Sequence, residues 1–566
     1  MRTKINTLSV NLSDRQLSNE SADASKVRLE ERLGGFGKAV HDIKRHIEKH
    51  PELRDAYSPE NLLCFNIGFL TGSKVTAARR AYVTGLSPEK TSKSGANGIY
   101  FSTASSDLGP MIASCGLDSI NITGRSESPV YLFLDNKGGE ANACLEDAGF
   151  LQGKTTDEKI KALAQAHPGA AFAVIGPAGE RMVRYASIAF STYDQIKKGT
   201  KNMRFAGRGG MGAVMASKNL LAIAATGKEF SRDVGDVATL NKDIATGGRA
   251  FKYRDKGTFD GNLDGMEELG VNVHNNFSSG KSDGTERLYR ENRAKEGYDV
   301  VDKGCYACGI KCWKENKLGK LDFEPGVLLG INLGIKDIKQ TMELINISDE
   351  MGVDSMSAGV CLGYEMQKQG KLGDFDFAKS LLLKIARGEH PLKEGLFRYA
   401  GNAPDAMHVK GIEFAAYPGN LNPGYAFAIA GLHTSMDTYN GAWYPLAKNT
   451  AEEWIENVIR GPQILLYDMN GACKFSKLKY DEVSSLYERV FGEKASMDEL
   501  RDVAKKAYRI ARGIDKRLGF TQEDDVMPEK CFEPYPGSTI NHFMTKDFFE
   551  KVKQGVYERL EKEKNE

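Results

Sequence analysis

The alternation of apolar and polar residues changes its period along this chain. The opening MRTKINTLSVNLSDRQLS alternates with a period of two, which predicts a β-hairpin. Residues 30–49 show helical periodicity. From about 60 to 225, short apolar runs such as NLLCFNIG, GIYFST and AFAVIG recur between Gly, Ser and Pro turns. We therefore predict that this segment is mostly β-sheet.

The pattern becomes helical after about residue 230. Segments such as IKQTMELINISDEMG and FDFAKSLLLKIARGE repeat their apolar positions every 3.6 residues and end near glycine. From about 411, loops alternate with further helical segments, including NTAEEWIENVIRGPQILLYDM and the charged KDFFEKVKQGVYERLEKEK near the end. The sequence thus predicts a β-rich region followed by mainly helical ones.

Composition narrows the class of protein. The 566 residues include 77 basic and 76 acidic ones, a net charge of +1, which does not favour a nucleic-acid or membrane partner. Hydrophobic residues make up 41%, and no apolar run approaches the roughly 20 residues that span a bilayer. Nine cysteines, an odd number, and the lack of a secretory signal predict a protein of the reducing cytoplasm.

Four of the cysteines predict a metal centre. Cys305, Cys308 and Cys312 in GCYACGIKC have the spacing C-x2-C-x3-C, and Cys473 in DMNGAC offers a distant fourth thiolate. Three thiolates on one turn plus a fourth suit a [4Fe–4S] cluster. The same residue types also suit tetrahedral zinc, so a zinc site remains open at this point. The other five cysteines lie singly and are expected to be small buried hydrophobic residues.

A glycine-rich segment, RFAGRGGMGAVMASKNLLAI at 204–223, predicts an anion site. Arg208 lies among Gly207, Gly209 and Gly210, so a guanidinium is placed beside exposed backbone N–H groups just before a helix. This arrangement suits a phosphate or pyrophosphate. It lacks the Lys-Ser/Thr of a P-loop, and an ordinary tight turn explains the same residues.

Taken in order, these motifs resemble the aldehyde:ferredoxin oxidoreductases, which are tungsten or sometimes molybdenum enzymes with a bis-pyranopterin cofactor. The resemblance is carried by LTGSKVTAARRAYVTGLSP, AGRGGMGAVMASKNLLAIA, CYACGIKC, FEPGVLLGINLGI, MGVDSMSAG, GIEFAAYP and DMNGAC. It implies an α+β fold in three domains: a β-rich pterin-binding domain at 1–229 and two mainly α-helical domains at 230–410 and 411–566. The helical domains would hold the cluster cysteines and cover the pterins.

The resemblance also implies a set of cofactor contacts. Arg80 would lie between the pterin and the [4Fe–4S] cluster held by the four cysteines. Carbonyls of Thr103 and Ala206 would bind a Mg²⁺ that bridges the pterin phosphates. Asp354 and Asp468 would accept hydrogen bonds from the pterin rings, as ionised carboxylates can. Each aspartate alone would otherwise suit a helix N-cap or a turn.

Two residues are candidates for acid–base chemistry at the substrate. The family's acidic pair corresponds here to DFEP, so Glu324 is the expected proton acceptor, with a surface carboxylate as the alternative. The family has a histidine near the substrate, and the nearest candidate here is His433 in AGLHT, at a shifted position. The alternative is that His433 is an ordinary loop histidine. The loop at 103–107 also departs from the family pattern, so its pterin contacts are open.

The expected activity is oxidation of an aldehyde to a carboxylic acid, with electrons leaving singly through the cluster to ferredoxin or a small iron–sulfur subunit. An oligomer or hetero-complex is expected. Two alternatives stay open. The same scaffold could oxidise a phosphorylated aldehyde or reduce an aryl thioester at low potential, and a zinc-stabilised binding protein would have no redox role.

Overall fold

The computed structural model describes residues 1–137, 140–430 and 446–562. Most of its strands lie in the first half of the chain. They are β1 Lys4–Asn11, β2 Gln16–Asp23, β3 Leu63–Ile67, β4 Arg80–Thr91, β5 Asn97–Ser105, β6 Ser119–Thr123, β7 Val130–Lys137, β8 Glu140–Asp147, β9 Ala171–Ile175, β10 Ile188–Phe190, β11 Arg204–Ala206, β12 Leu220–Ala225, β13 Val301–Lys303, β14 Trp313–Asn316, β15 Gly319–Leu321, β16 His408–Val409 and β17 Ile412–Glu413.

Two large sheets form the N-terminal region. The first has the strand order β2-β1-β6-β3-β4-β5, and the second has the order β11-β10-β9-β12-β7-β8. The predicted opening hairpin is confirmed, because β1 and β2 pair antiparallel with Leu8 opposite Asn19. Strand β5 of the first sheet lies against β11 of the second, which brings the two sheets together at one edge.

Helices interrupt these sheets more often than the sequence pattern predicted. They are α1 Leu29–Leu33, α2 Gly35–Lys49, α3 Leu108–Ser114, α4 Thr156–Ala166, α5 Pro177–Glu180, α6 Tyr193–Lys198 and α7 Met211–Ser217. Helix α2 packs on β3 and β4, and α7 packs on β4, β9 and β12. Because helices cover them, strands such as β3 and β9 are buried at every residue and read as continuous apolar runs.

The helix predicted at 30–49 is divided in two at Gly34. Gly34 has φ = +89°, and a Cβ atom there would lie 2.3 Å from the carbonyl oxygen of Ile67. The backbone of Gly34 forms a β-bridge with Gly68, so the first sheet approaches the helical segment at this point. A residue other than glycine would be strained there and would clash.

The remainder of the chain is mainly helical, as predicted. Its helices are α8 Ala238–Thr246, α9 Phe251–Lys256, α10 Leu263–Leu269, α11 Arg290–Lys295, α12 Phe323–Leu328, α13 Ile338–Met351, α14 Ser355–Lys368, α15 Phe375–Ala386, α16 Leu396–Ala400, α17 Ala451–Arg460, α18 Tyr467–Asn470, α19 Tyr480–Phe491, α20 Met497–Arg517 and α21 Lys546–Lys562. A small antiparallel sheet, β13-β14-β15, is inserted among them. The helical pattern did not predict this sheet.

The segment NTAEEWIENVIRGPQILLYDM is not one continuous helix. Helix α17 ends before Gly461, a 3₁₀ segment spans Gly461–Leu466, and α18 follows. Pro462 cannot donate an intrahelical hydrogen bond, so the α-helical ladder breaks there. The break turns the chain toward the loop that carries Cys473.

The α+β architecture is therefore confirmed, and a single buried apolar core runs through the described residues. Helix α20 packs against α2, which connects the last helical region to the first sheet. The domain limits at 229/230 and 410/411 stay predictions. In the ranges that the structure describes, no helix has the length and apolar character needed to cross a membrane.

Candidate active site

A cavity of about 680 Å³ lies where the edges of the two large sheets meet the helical regions. Its wall is built from β5 and β11, the cysteine segment 305–312, the first turns of α12 and α14, and the loop after α18. All four predicted cluster cysteines line this cavity, together with Arg80, Thr103, Gly207, Arg208, Glu324 and Asp354. Of the predicted residues that the structure describes, Ala206, Gly209, Gly210 and Asp468 do not line it.

A short hairpin positions three of the cysteines. Strands β13 and β14 pair antiparallel, with Lys303 opposite Trp313, and the loop between them carries Cys305, Cys308 and Cys312. The N–H of Cys308 donates to the carbonyl of Cys305 at 3.0 Å, which closes a tight turn. The three side chains therefore reach the cavity from one small loop.

The fourth cysteine arrives on a separate turn. The N–H of Cys473 donates to the carbonyl of Ala77 at 3.0 Å, so this loop is fastened to the segment just before β4. Gly471 has φ = +90°, and a Cβ atom there would lie 2.4 Å from the Thr71 hydroxyl. Glycine is thus required where the DMNGAC turn crosses the first sheet.

The four sulfurs do not suit a single zinc ion. Zinc at about 2.3 Å from each thiolate would hold the sulfurs about 3.8 Å apart. Within the described part of the chain, the ligand group whose atoms all lie within 4.8 Å of one another is His46, His50 and Glu60, which is outside the cavity. Among the described residues, no three of the cysteine sulfurs all lie within 4.8 Å of one another.

Arg80 joins the cysteines to the first sheet. Its Nη2 lies 3.3 Å from the Cys473 sulfur, and its Nη1 donates to the Thr103 hydroxyl at 3.2 Å. Burial raises the pKa of the Cys473 thiol, but the charge and hydrogen bond of Arg80 outweigh burial, so the pKa lies below its usual range. Without such a partner, burial raises the pKa of Cys308 to about 12. Arg80 therefore favours the thiolate form of the distant ligand.

A second guanidinium near the cysteines was not singled out from the sequence. Arg204 on β11 lies over the Trp313 ring, 4.6 Å from its centroid, and 3.4 Å from Asp322. Cys305 and Cys473 are among the groups that raise its pKa against the opposing effect of burial. The position of Arg204 at the start of the glycine-rich segment could have marked it as a candidate site residue. Only the fold shows which cysteines it faces.

The glycine-rich loop presents one guanidinium to the cavity. Arg208 is buried, its Nη2 donates to the Glu413 carbonyl, and its Nε lies 3.5 Å from Asp354. Gly207 also lines the cavity, and a Cβ atom there would meet nothing closer than the Asp354 carboxylate at 3.4 Å. Arg208 rather than the helix end supplies the positive charge, because α7 has only seven residues.

Gly209 and Gly210 serve the packing of the loop. The N–H of Gly209 donates to Glu89 at 3.1 Å, so it does not face the cavity as the sequence suggested. A Cβ atom on Gly209 would lie 2.2 Å from the Tyr100 ring, and one on Gly210 would lie 1.9 Å from the Arg184 carbonyl. Both residues have positive φ, at +80° and +65°. Larger residues would therefore disrupt the wall itself.

The two predicted pterin-binding aspartates differ in their surroundings. Asp354 lines the cavity and also caps α14, accepting from the N–H groups of Met356 and Ser357 at 3.1 and 3.2 Å. Its N-cap role, the alternative from sequence, is therefore present alongside its place in the cavity wall. Asp468 lies in α18, where burial raises its pKa to about 7 although Arg80 lowers it. It can therefore donate as well as accept near neutral pH.

Glu324 lines the cavity from the first turn of α12. Its Oε2 accepts from the Ala416 N–H at 2.8 Å, which fixes the carboxylate between two segments. Phe323 and Tyr417 pack together beside it, with ring centroids 5.7 Å apart. His433, the other candidate, lies outside the described residues.

Asp349 also lines the cavity and was missed by sequence reasoning. It lies near the end of α13, where burial raises its pKa to about 6. Lys320 opposes this effect, while Asp322 adds to it. Nothing in its local sequence, DEMGVD, distinguishes it from a surface carboxylate, because its burial depends on distant segments.

Two family models match nearly the whole chain. The N-terminal domain of aldehyde ferredoxin oxidoreductase matches residues 7–227, and domains 2 and 3 of that enzyme match residues 237–564. The chain belongs to the aldehyde ferredoxin oxidoreductase family. This membership makes it an oxidoreductase of the family with a tungsten–pterin cofactor and an iron–sulfur cluster.

Relatives in this family span almost the full length. The tungsten-containing aldehyde ferredoxin oxidoreductase of Pyrococcus furiosus is 29% identical over 93% of this chain and 91% of its own. The WOR-like subunit of an aliphatic sulfonate oxidoreductase from the same organism is 26% identical over 96% of this chain and 92% of its own. The solved active site complex BamBC of benzoyl coenzyme A reductase shares the fold, with a TM-score of 0.79 and 19% identity over 98% of this chain and 94% of that one.

The cavity fits an anionic cofactor of this family. Arg80 Nε, Arg208 Nη1 and Ser187 Oγ are buried and find no hydrogen-bond partner among the described residues. All three side chains line the cavity. A buried donor without a partner costs about 1–3 kcal/mol, so these groups are arranged to bind a ligand. Two guanidinium groups and a hydroxyl suit phosphate oxygens and pterin acceptors.

Proposed function

We propose that this protein oxidises aldehydes to carboxylic acids. One aldehyde and one water give the acid, two protons and two electrons, and the electrons leave singly through a [4Fe–4S] cluster. Membership of the family supports this activity. No three of the cysteine sulfurs all lie within 4.8 Å of one another in the described residues, which favours a cluster over a single zinc ion.

Residues of two cavity walls, with Ala206 and Asp468 beside them, would divide the cofactor between them. The tungsten–pterin, for which molybdenum is the alternative metal, supplies the two-electron redox step when bound. Arg208, with Asp354 and Asp468, would hold the pterins, and carbonyls of Thr103 and Ala206 would hold a bridging Mg²⁺. The cluster would be bound by Cys305, Cys308, Cys312 and Cys473.

The observation that carries this proposal is the position of Arg80. One guanidinium contacts Thr103 on the pterin side and the Cys473 sulfur on the cluster side. Its positive charge would stabilise negative charge on a pterin beside Thr103 and on a cluster bound by Cys473. Arg80 would therefore hold the two redox groups close together, which favours electron transfer between them. The Arg80 Nε is buried in the cavity wall and finds no partner in the described residues, so it remains available to a bound cofactor.

Glu324 is proposed as the proton acceptor. Its Oε2 is fixed by the Ala416 N–H, and the rings of its neighbour Phe323 and of Tyr417 pack together beside it. A carboxylate in such a place can take the proton released as water adds to the carbonyl carbon. His433 is the proposed second participant.

The test begins with metal analysis of the anaerobically purified protein. We expect about one tungsten or molybdenum and about four irons per chain, with absorbance that bleaches on reduction. Aldehydes, phosphorylated aldehydes and aryl thioesters should then be assayed side by side, with a viologen dye as acceptor or donor. Aldehyde-dependent dye reduction with carboxylate formation supports the proposal. Turnover only of a thioester, or a colourless protein containing zinc, contradicts it.

A further inference from the structure

Two histidines lie together at the end of α2, outside the cavity. His46 is in the last turn of the helix and His50 is its C-cap, so the two side chains share one face, with ring centroids 4.4 Å apart. The loop before β3 returns to this helix end and brings Glu60 beside both rings. One ring nitrogen of each histidine and one carboxylate oxygen of Glu60 all lie within 4.8 Å of one another.

The distances between these groups are close to those of a metal site. The Nδ1 atom of His50 lies 3.7 Å from a carboxylate oxygen of Glu60 and 3.7 Å from one of Glu52. Nitrogen and oxygen ligands of tetrahedral zinc lie about 3.4 Å apart, since each is about 2.0–2.1 Å from the metal. The side chains of His50 and Glu60 are 32% and 50% exposed, so they have room for the small shift that would close them around an ion.

The ring of His46 is already held in place. Its Nε2 atom lies 2.6 Å from the backbone carbonyl oxygen of Glu60. Because a carbonyl oxygen only accepts, Nε2 carries the proton and Nδ1 keeps the lone pair that a metal ion requires. Histidine ligands commonly donate their other ring N–H to such a carbonyl, which orients the ring. The contact therefore joins α2 to the Glu60 loop and prepares His46 as a ligand.

The surrounding charges also favour a cation. Burial lowers the pKa of His46, so its ring is neutral at pH 7, as metal binding needs. The carboxylates of Glu52 and Glu60 supply negative charge. Lys218 opposes them, but its buried ammonium donates to the Pro59 carbonyl at 2.8 Å, and burial lowers its pKa to about 7. A large part of its positive charge is therefore absent near neutral pH.

We propose that His46, His50 and Glu60 bind one zinc ion. Two imidazoles and a carboxylate are a common zinc ligand set, and Glu52 or water would take the fourth position. The ion would fasten the end of α2 to the loop before β3.

This zinc site would be separate from the redox centre. Helix α2 has 15 residues and is therefore about 22 Å long. Its other end meets the DMNGAC turn, because a Cβ atom on Gly35 would lie 2.4 Å from the Asp468 carbonyl oxygen. Zinc would therefore stabilise the far end of a helix that supports the cavity, and the inference does not depend on the proposed function.

The first experiment titrates zinc into the cofactor-loaded enzyme, whose cluster cysteines are occupied. Calorimetry should show about one zinc per chain with a Kd of roughly 1 µM or tighter, and zinc should raise Tm by about 2 °C. His50→Gln and Glu60→Gln should each weaken zinc binding by about 100-fold and remove the Tm shift, because each deletes a ligand. Both residues are at the surface, so iron and pterin content should stay at the wild-type level.

A histidine elsewhere on the surface provides the control. His542 is exposed and lies outside the site, so His542→Gln should bind zinc as wild type does. Equal zinc binding by His50→Gln and wild type would overturn the inference. So would the absence of zinc binding by wild type in the micromolar range.

A crystal structure of wild type grown with equimolar zinc tests the site without any substitution. Anomalous scattering at the zinc absorption edge should give a peak between the two histidine rings and the Glu60 carboxylate. A zinc peak at other places only would overturn the inference.

Discussion

The two walls of the cavity are built in different ways. The glycine-rich loop is buried, and close packing against Tyr100 and Arg184 fixes it without help from a ligand. The cysteine loop is half-exposed and rests on a short hairpin, one turn hydrogen bond, and a bond from the Gly309 N–H to the Thr76 hydroxyl. Packing therefore determines the pterin side, whereas bound metal is expected to complete the cluster side. Substitutions in the glycine-rich loop should therefore lower stability, whereas substitutions of the cluster cysteines should lower cofactor content.

The largest effect is expected for Gly210→Val. A Cβ atom there would lie 1.9 Å from the Arg184 carbonyl, and φ is +65°. Overpacking and left-handed strain together cost about 2–6 kcal/mol, a large share of a typical folding free energy. Thermal denaturation should show the loss, and Gly209→Val should behave similarly. Gly207→Ala is the control, since its Cβ atom would have room. Near-normal stability of Gly210→Val would contradict the claim that packing determines the pterin side of the cavity.

Glu324→Gln should reduce turnover without altering either wall. The amide keeps the shape of the carboxylate but cannot take a proton, and loss of a general base costs about 10²–10⁴-fold in rate. Steady-state kinetics, with metal and pterin content measured on the same sample, should show this. Glu343→Gln on α13, an exposed pair with Lys379, is the control. Turnover near wild type would assign Glu324 to structure and leave His433 as the candidate.

Cys473→Ser should affect the cluster and leave the fold intact. Three thiolates would remain, so we expect reduced iron content and dye reduction lowered by about 100-fold, as ligand-shell losses commonly cause. Iron analysis measures the loss of the cluster, and thermal denaturation checks that the fold is intact. Cys144→Ser is the matched control, because Cys144 is partly buried on β8 outside the cavity. Full iron content in Cys473→Ser would refute the four-ligand assignment.

The smallest effect is expected for Arg204→Met. This guanidinium lies among the cysteines, so its positive charge stabilises the reduced, more negative cluster. Its removal should make the reduction potential more negative by roughly 50–100 mV. A redox titration followed by electron paramagnetic resonance would measure the shift, and Arg204→Lys should restore most of it. An unchanged potential would mean that Asp322 already neutralises the arginine.

Much of the fold was predictable because it depends on local pattern. The opening hairpin, the β-rich first region and the helical remainder follow from apolar periods of two and of 3.6 residues. The errors occurred where tertiary contacts override that pattern. Gly34 divides a periodic helix because the backbone of Gly68 approaches it. The break at Pro462 is different, since the proline itself is a local signal that the periodic pattern outweighed.

The sequence by itself determined the kinds of chemistry: cysteine spacing, a glycine-rich loop with Arg208, and motif order that indicated the family. These signals are local, since ligand type and turn residues are written in adjacent positions. Only the tertiary structure decided which groups meet. Arg80 contacts a sulfur on a distant segment, Gly209 gives its N–H to Glu89, and Arg204 faces the cysteines. Such pairings depend on how separate sheets and helices pack, and no local sequence pattern encodes that packing.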